Sequence, residues 1–214
     1  MSSNVSGTSK EQRIERILDA ALEVFSECSF EDATTADVAR RARISKRDLY
    51  VLFPNKQALL MGTIVREMQK QYGSFRDTIA RTAKLRGLGE KLDAIGSAVV
   101  EDVLSPTMGM VRRLIASESM KRPFLGGLFF EGGVAQRCKL IGELLATHFN
   151  GERTTEAEEL QRAAERYFSI IAYFPSMMTQ IGLRDQWTRE AIQRHVTGET
   201  QLFLQTHPAF SRVV

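Results

Sequence analysis

Residues 34–56 read TTADVARRARISKRDLYVLFPNK, Thr34 to Lys56, and this stretch decides the fold. Thr34 followed by Asp37 is a capping-box pattern: the hydroxyl accepts from an orphan amide of the first helical turn, and the carboxylate reaches back toward the cap. A helix therefore starts near Thr35. Val38, Ala39 and Ala42 fall at helical spacing on one face, with Asp37, Arg40 and Arg41 elsewhere. Ser45 and Asp48 repeat the signal eleven residues after Thr34, so one helix must end and another begin within that interval. Helices joined so tightly cross steeply, as in a helix-turn-helix. In the second helix Leu49 and Phe53 anchor one face. Ser45, Lys46, Arg47, Tyr50 and part of the Val51 and Leu52 surface face outward. Asn55 caps a third helix, with Lys56 in its first turn.

The outward groups suit a polyanion. Lys46, Arg47 and Lys56 can neutralise phosphates, while Thr35, Ser45 and Tyr50 can donate hydroxyl hydrogen bonds that fix register without reading sequence. Amide-rich helix starts at Thr35 and Asn55 add anion-binding character. Base reading falls to the start of the second helix. There Lys46 or Arg47 can meet guanine O6 and N7, and Asp48 either caps the helix or accepts from a cytosine amino group. Short capped helices with basic faces also occur in helical proteins that read no DNA, so the flanking sequence matters.

Upstream, EQRIERILDAALEVFSEC (Glu11 to Cys28) places Ile14, Ile17, Leu18, Ala21, Leu22 and Phe25 on one apolar helical face. This long helix can roof the two short ones, with Phe30 plugging the small core between them. Taken together, the run from Arg13 to Leu60 resembles the amino-terminal domain of the TetR family of transcriptional regulators. The residues that carry the resemblance are ILDAALEVFSE, Phe30 and TTADVARRARISKRDLYVLFPNKQALL.

The resemblance implies operator-DNA contacts at Thr35, at Ser45, Lys46, Arg47 and Asp48, at Tyr50 and at Lys56; Thr34 and Arg43 are placed with them. It also exposes departures. The family usually has glycine where Arg43 stands, because the residue closing the first short helix tends to be left-handed, and a non-glycine there costs roughly 1 kcal/mol. Either the turn differs or Arg43 accepts the strain and adds a phosphate contact. Cys28-Ser29 replaces a usual Arg-Gly, Arg47-Asp48 replaces a common Gly-Thr, and Leu52 stands where a second aromatic is common. The preferred operator should differ accordingly.

The 214-residue chain has room for a small reader and a larger helical domain. Its net charge of +3, from 29 Lys+Arg against 26 Asp+Glu, says little, but position says more. Between Arg40 and Lys56 the basic residues Arg40, Arg41, Arg43, Lys46, Arg47 and Lys56 face only Asp48, and acidic residues earlier in the segment cancel the excess elsewhere. The field is therefore directed at one face. Two cysteines, Cys28 and Cys138, point to a reducing compartment, with buried inert thiols expected rather than redox sensors. Residues 1–9 lack signal-peptide character and are expected to be a disordered tail, and no apolar run suffices for a membrane span. A cytoplasmic protein with no membrane partner is expected.

Beyond Leu60 the pattern is helical, and no alternating strand pattern bounded by hairpin turns appears, so the fold class is all-α. Expected elements are 55–82, 89–104, 109–121, a segment around 124–147, 155–181 and 188–205. Breaks are expected at LRGLG, SPTMG, KRPFLGG, EGG (131–133), FNGERT and GLRDQ. The expected organisation is a tail (1–9), a three-helix helix-turn-helix DNA-binding domain (10–56) and a helical effector-binding and dimerisation domain (57–214). Residues Val111 to Gly133 also resemble the regulatory domain of TetR-family members of the multidrug-efflux, AcrR-like type.

Leu160, Ala164, Tyr167, Phe168, Ile171, Ile192, Val196 and Phe203 supply apolar surface on the last two long helices. The family pairs these helices into a four-helix dimer interface; packing within one subunit is the other reading. Pro175 should kink its helix. Met68, Phe75, Met108, Met120, Phe124 and Phe130 are either plain core or the lining of an apolar pocket for a lipophilic effector. The cluster Gly126, Gly127, Gly132 and Gly133 fits no nucleotide motif and reads as a flexible joint. His148, His195 and His207 form no metal or nucleophile spacing, so neither an enzyme nor a cofactor is expected. The function implied is a homodimeric, effector-responsive repressor of a palindromic operator on double-stranded DNA. The alternative is a helical ligand-binding protein whose reader no longer binds DNA.

Overall fold

The computed structural model describes residues 4–148 and 157–207, with side chains from residue 10 onward. Every element in these residues is helical, as the all-α reading requires. In chain order they are α1 (Asn4–Glu27), α2 (Thr35–Arg41), α3 (Lys46–Leu52), α4 (Lys56–Thr82), α5 (Leu88–Leu104), α6 (Pro106–Glu118) and α7 (Phe124–Phe129). A π-helical turn (Phe130–Val134), α8 (Ala135–Ala146), α9 (Ala157–Gln180), a 3-10 turn (Arg184–Gln186) and α10 (Arg189–Thr206) follow.

Several boundaries correct the sequence reading. The expected tail is already helical from Asn4, as the first turns of α1, while residues 1–3 lie outside the described residues. The Ser-Pro of SPTMG does not extend the break but starts α6 at Pro106. Ser45-type chemistry recurs here, because the Ser105 hydroxyl accepts from the Met108 amide at 3.1 Å and proline is suited to the first helical position. Glu131, Gly132 and Gly133 do not break the chain; a π turn carries it from α7 into α8, so the glycine cluster is helical rather than a loose joint. The break expected at Phe149 to Thr154 lies outside the described residues. Pro175 sits inside α9 without ending it.

The chain divides into two compact units: Met1–Met68 with Met110–Phe129, and Gln69–Gly109 with Phe130–Val214. In the first unit Ile17, Leu18, Ala21, Leu22 and Phe25 of α1 are buried together with Val38 and Ala39 of α2, Leu49 of α3, and Leu59, Leu60 and Ile64 of α4. Each fully buried Val, Leu, Ile or Phe among them contributes roughly 1.5–3 kcal/mol. Arg66 then ties α4 to α1: its buried guanidinium donates to the Asp19 carboxylate at 2.7 Å and the Glu15 carbonyl at 3.1 Å, and pairs with Glu67. Gly62 is needed where α4 meets the Phe53 ring, since a Cβ would lie 2.8 Å from it.

The second unit is built on α5, α8, α9 and α10. Leu92, Ile95, Val99 and Val100 of α5 share a core with Ile141 and Leu145 of α8, Ala164, Tyr167 and Ile171 of α9, and Val196 and Phe203 of α10. Gly96 lets α5 approach: a Cβ there would stand 2.7 Å from the Tyr167 hydroxyl and 2.8 Å from Val196. That hydroxyl donates to the Leu92 carbonyl at 2.6 Å and lies 3.1 Å from Thr200 Oγ1. A second polar tie is Arg137, which donates to Asp102 at 2.8 Å with its cation 5.8 Å from the Phe75 ring centre.

Candidate nucleic-acid interface

Thr34 caps α2 as its spacing requires. Its hydroxyl accepts from the Asp37 amide at 3.1 Å and donates to the Asp37 carboxylate at 2.6 Å. Asp37 also receives Arg40 at 2.5 Å, and these hydrogen bonds, Thr34 first, hold its carboxyl below the usual carboxylate range. At the other end of α2 the amide of Arg43 bonds to the Arg40 carbonyl at 3.2 Å and that of Ile44 to the Ala39 carbonyl at 3.0 Å. This is the Schellman arrangement, and it needs a left-handed residue at position 43. Arg43 adopts φ 55°, the only non-glycine at positive φ among the described residues. The strained alternative is therefore the one realised.

Ser45 caps α3 in the same manner, accepting from the Asp48 amide at 3.1 Å and donating to the Asp48 carboxylate at 2.9 Å. Arg13 of α1 approaches that carboxylate to 3.8 Å. Asp48 thus serves the helix start. Leu49 is fully buried and anchors α3, which leaves Lys46, Arg47 and Tyr50 exposed. The Tyr50 hydroxyl lies 2.9 Å from Thr35 Oγ1, joining the middle of α3 to the first residue of α2.

The basic residues sort into two groups that the sequence did not separate. Arg41 forms a two-pronged pair with Glu27 at 2.7 Å on both arms and reaches Glu23 at 3.5 Å. The Arg41 hydrogen bond holds the Glu27 carboxyl below its ordinary range, and Glu27 in turn raises Arg41. Lys56 turns inward: its ammonium donates to the carbonyls of Phe30 at 2.6 Å, Glu31 at 3.0 Å and Ala33 at 3.0 Å, and lies 4.5 Å from the Phe30 ring centre. An ammonium has three protons. All three are met by these carbonyls, so the side chain braces the α1–α2 corner. Arg43, Lys46 and Arg47 remain, exposed and without an ion-pair partner among the described residues.

The six residues expected in an effector pocket differ in burial. Met68, Phe75 and Met108 are buried core, whereas Met120, Phe124 and Phe130 are 89%, 39% and 52% exposed. None of them lines the grooves that run along the end of α5, α9 and α10. The residues expected at a dimer interface pack within the second unit. Ala164, Tyr167, Ile171, Val196 and Phe203 are buried in the chain's own core, and Leu160, Phe168 and Ile192 pack partly buried against it. Hydrophobic periodicity marks an apolar stripe without saying which of two stripes faces inward. The outward stripe, missed in the sequence, carries Tyr173 (72% exposed), Phe174 and Leu202; Tyr173 and Phe174 line a groove of about 550 Å³ with Ser169, Ile170, His195 and Glu199. Its signal is present in SIIAYFPSMM, where apolar residues continue around the whole helix.

Cys138 is buried as expected, and burial pushes its thiol up to about 11; Cys28, by contrast, is exposed. Among the described residues no group of three potential ligands could hold a metal, and no helix is long and apolar enough to cross a membrane.

Comparison with known proteins places this geometry. Residues 17–61 match the family of bacterial regulatory proteins named tetR, and residues 90–207 match the AefR-like transcriptional repressor C-terminal domain. Over 200 residues the chain is 27% identical to the HTH-type transcriptional repressor KstR of Rhodococcus jostii (strain RHA1), covering 93% of this chain and 87% of that protein. A Mesorhizobium loti MAFF303099 structure described as a TetR-family transcriptional regulator superposes with a TM-score of 0.80 at 15% identity, covering 92% of this chain and 96% of the other. The transcriptional regulator FadR from Bacillus subtilis, solved in complex with stearoyl-CoA, gives a TM-score of 0.65 at 17% identity, covering 88% and 96%. These matches are to regulators and not to enzymes. The chain belongs to the tetR family of bacterial regulatory proteins and is a transcriptional repressor with an AefR-like carboxy-terminal domain.

Proposed function

We propose that the protein is a cytoplasmic homodimer that represses by placing two copies of α3 on a two-fold operator, and that a small lipophilic effector releases it. The observation that carries this reading is the set Arg43, Lys46 and Arg47, three exposed cations unpaired within the described residues, at the α2–α3 turn and the start of α3. Lys46 and Arg47 are placed to reach base edges or phosphates, and Arg43 to meet the backbone beside them. Thr34, Thr35, Ser45 and Tyr50 add hydroxyls to the same surface. Asp48, occupied as a cap, orients this start instead of reading cytosine.

The outward stripe of Ile170, Tyr173, Phe174 and Leu202 supports a dimer across α9 and α10, because a two-fold protein matches a two-fold site. A lipophilic effector is supported by the stearoyl-CoA bound to the FadR neighbour and by the multidrug-efflux resemblance of residues 111–133. The effector must discriminate two states by several kcal/mol to act as a switch. Titration of palindromic fragments from the gene's own upstream region, at two salt concentrations, tests the reading. A sequence preference that survives added salt supports it; binding that vanishes uniformly with salt favours a ligand-binding protein with an inactive reader.

A further inference from the structure

Arg122 lies in the turn between α6 and α7, well outside the segment that matches the reader, yet it grips the reader's corner. One arm of its guanidinium donates to the Glu31 carboxylate at 2.9 Å, and the other pairs with Glu118. The face of the guanidinium lies 4.2 Å from the Phe30 ring centre. Glu118 is almost completely buried, and Arg122 itself is only 20% exposed. Phe30 and Glu31 belong to the connection between α1 and α2, the same connection whose carbonyls Lys56 holds. The Arg122 hydrogen bond is also the first cause that keeps the Glu31 carboxyl below its ordinary range.

We propose that Arg122 is a positioning residue for DNA reading, acting through Glu31 and Phe30 on the corner that sets the start of α2. The inference rests on the DNA-reading function proposed above. The corner ends at Thr34, the cap of α2, and α2 in turn holds α3 through the Thr35–Tyr50 bond. An exposed ion pair is ordinarily worth little, because two long side chains must be ordered to make it. Here that cost is already met. The guanidinium is fixed by the buried Glu118 and by the Phe30 ring, so Glu31 meets a preorganised fork. The α6–α7 turn therefore acts as part of the reader, and any displacement of α6 that withdraws Arg122 releases the corner.

The sign of one substitution separates positioning from plain electrostatics. Glu31 carries negative charge close to a DNA-binding surface, so losing it would tighten DNA binding if charge alone mattered. Positioning demands the reverse for the operator. The experiment uses the full chain, an operator duplex selected from random DNA by the unmodified protein, and a scrambled duplex of equal length, with affinities read by fluorescence anisotropy at two salt concentrations. Glu31→Ala and Glu31→Gln leave the buried Glu118–Arg122 pair intact, which protects the fold. Each is expected to weaken operator binding roughly fivefold or more, with the scrambled duplex bound equally or more tightly and the salt slope unchanged. Arg122→Lys should act in the same direction, and the double variant Glu31→Ala/Arg122→Lys should be no weaker than the worse single. An operator-to-scrambled ratio that stays within about twofold for both Glu31 variants, or fully additive losses, overturns the inference while leaving the DNA-reading function standing. Failure of the unmodified protein to select any sequence overturns that function, and the inference with it.

Discussion

His195 of α10 donates through Nε2 to the carbonyl of Ile171 in α9, at 3.0 Å. That carbonyl stands four residues before Pro175, which has no N–H to offer, so the helix cannot supply its usual donor. The histidine fills the gap and rests edge-on against Trp187, with ring centroids 5.2 Å apart. Replacing His195 by Phe should cost about 1–2 kcal/mol, the penalty of an orphaned, half-buried carbonyl. Adding Pro175→Ala should recover most of it by restoring the helical amide. A urea-denaturation cycle on the four proteins measures the coupling, and additive losses would contradict this account.

Tyr50 is tied to Thr35 across the two reader helices. Tyr50→Phe removes both that bond and a hydroxyl available to phosphate, so operator and unrelated duplexes should weaken together by about 0.5–1.5 kcal/mol. Arg47→Ala should behave differently, relaxing the preference at one base position by about 1–3 kcal/mol. Competition binding against single-base operator variants distinguishes the two patterns.

Arg43 carries the left-handed conformation that glycine would adopt freely. Arg43→Gly should raise stability by up to about 1 kcal/mol, offset in part by the greater freedom of glycine in the unfolded chain. If the exposed guanidinium also meets phosphate, DNA affinity should fall in the same variant. Chemical denaturation and a DNA titration on one preparation read both effects.

Lys56 and Lys46 should part company. Lys56→Ala frees three carbonyls at the α1–α2 corner and should destabilise the first unit by roughly 1.5–3 kcal/mol, with little change in the salt slope of DNA binding. Lys46→Ala should leave stability alone and reduce that slope by about 1. A Lys56→Ala variant with intact stability and a reduced slope would show instead that the side chain meets phosphate.

Acid should loosen the reader through Glu27, Glu31 and Asp37. Their folded-state values lie below the ordinary 4.5, 4.5 and 3.8, held there first by Arg41, Arg122 and Thr34 respectively. A lowered value contributes stability that is present above the unfolded value and is lost as pH falls through the folded one. Stability from these groups should therefore be level above about pH 5 and decline below it. Cys138 has the opposite sign: raised from 9.0 to about 11, it favours folding below 9.0 and loses that contribution as pH rises through 11. Thiol titration of the folded protein near neutrality should show Cys28 reacting promptly and Cys138 only on unfolding.

The helix-turn-helix was legible because its signals are local. Caps at Thr34 and Ser45, a short interval between them and buried Leu49 are properties of adjacent residues, and the left-handed demand at Arg43 follows from where α2 must stop. Family resemblance added, by position, the contacts expected of the reader. Periodicity alone located Tyr167, Ile171, Val196 and Phe203 on apolar stripes and left open whether they pack inward, as they do here, or outward like Tyr173 and Phe174. The start of α6 was missed because Ser-Pro reads as a break unless its capping role is weighed.

Sequence by itself determined the helical class, the two reader helices and the residues that begin α3, since each depends on interactions a few positions apart. Only the tertiary structure decided which charges find a partner within the chain. Arg41 is taken by Glu27, Lys56 by three carbonyls and Arg122 by Glu31, partners 14, 23 to 26 and 91 positions away in the chain. The physical reason is that an ion's role is set by what lies within a few ångströms of it, and the chain order does not state those distances.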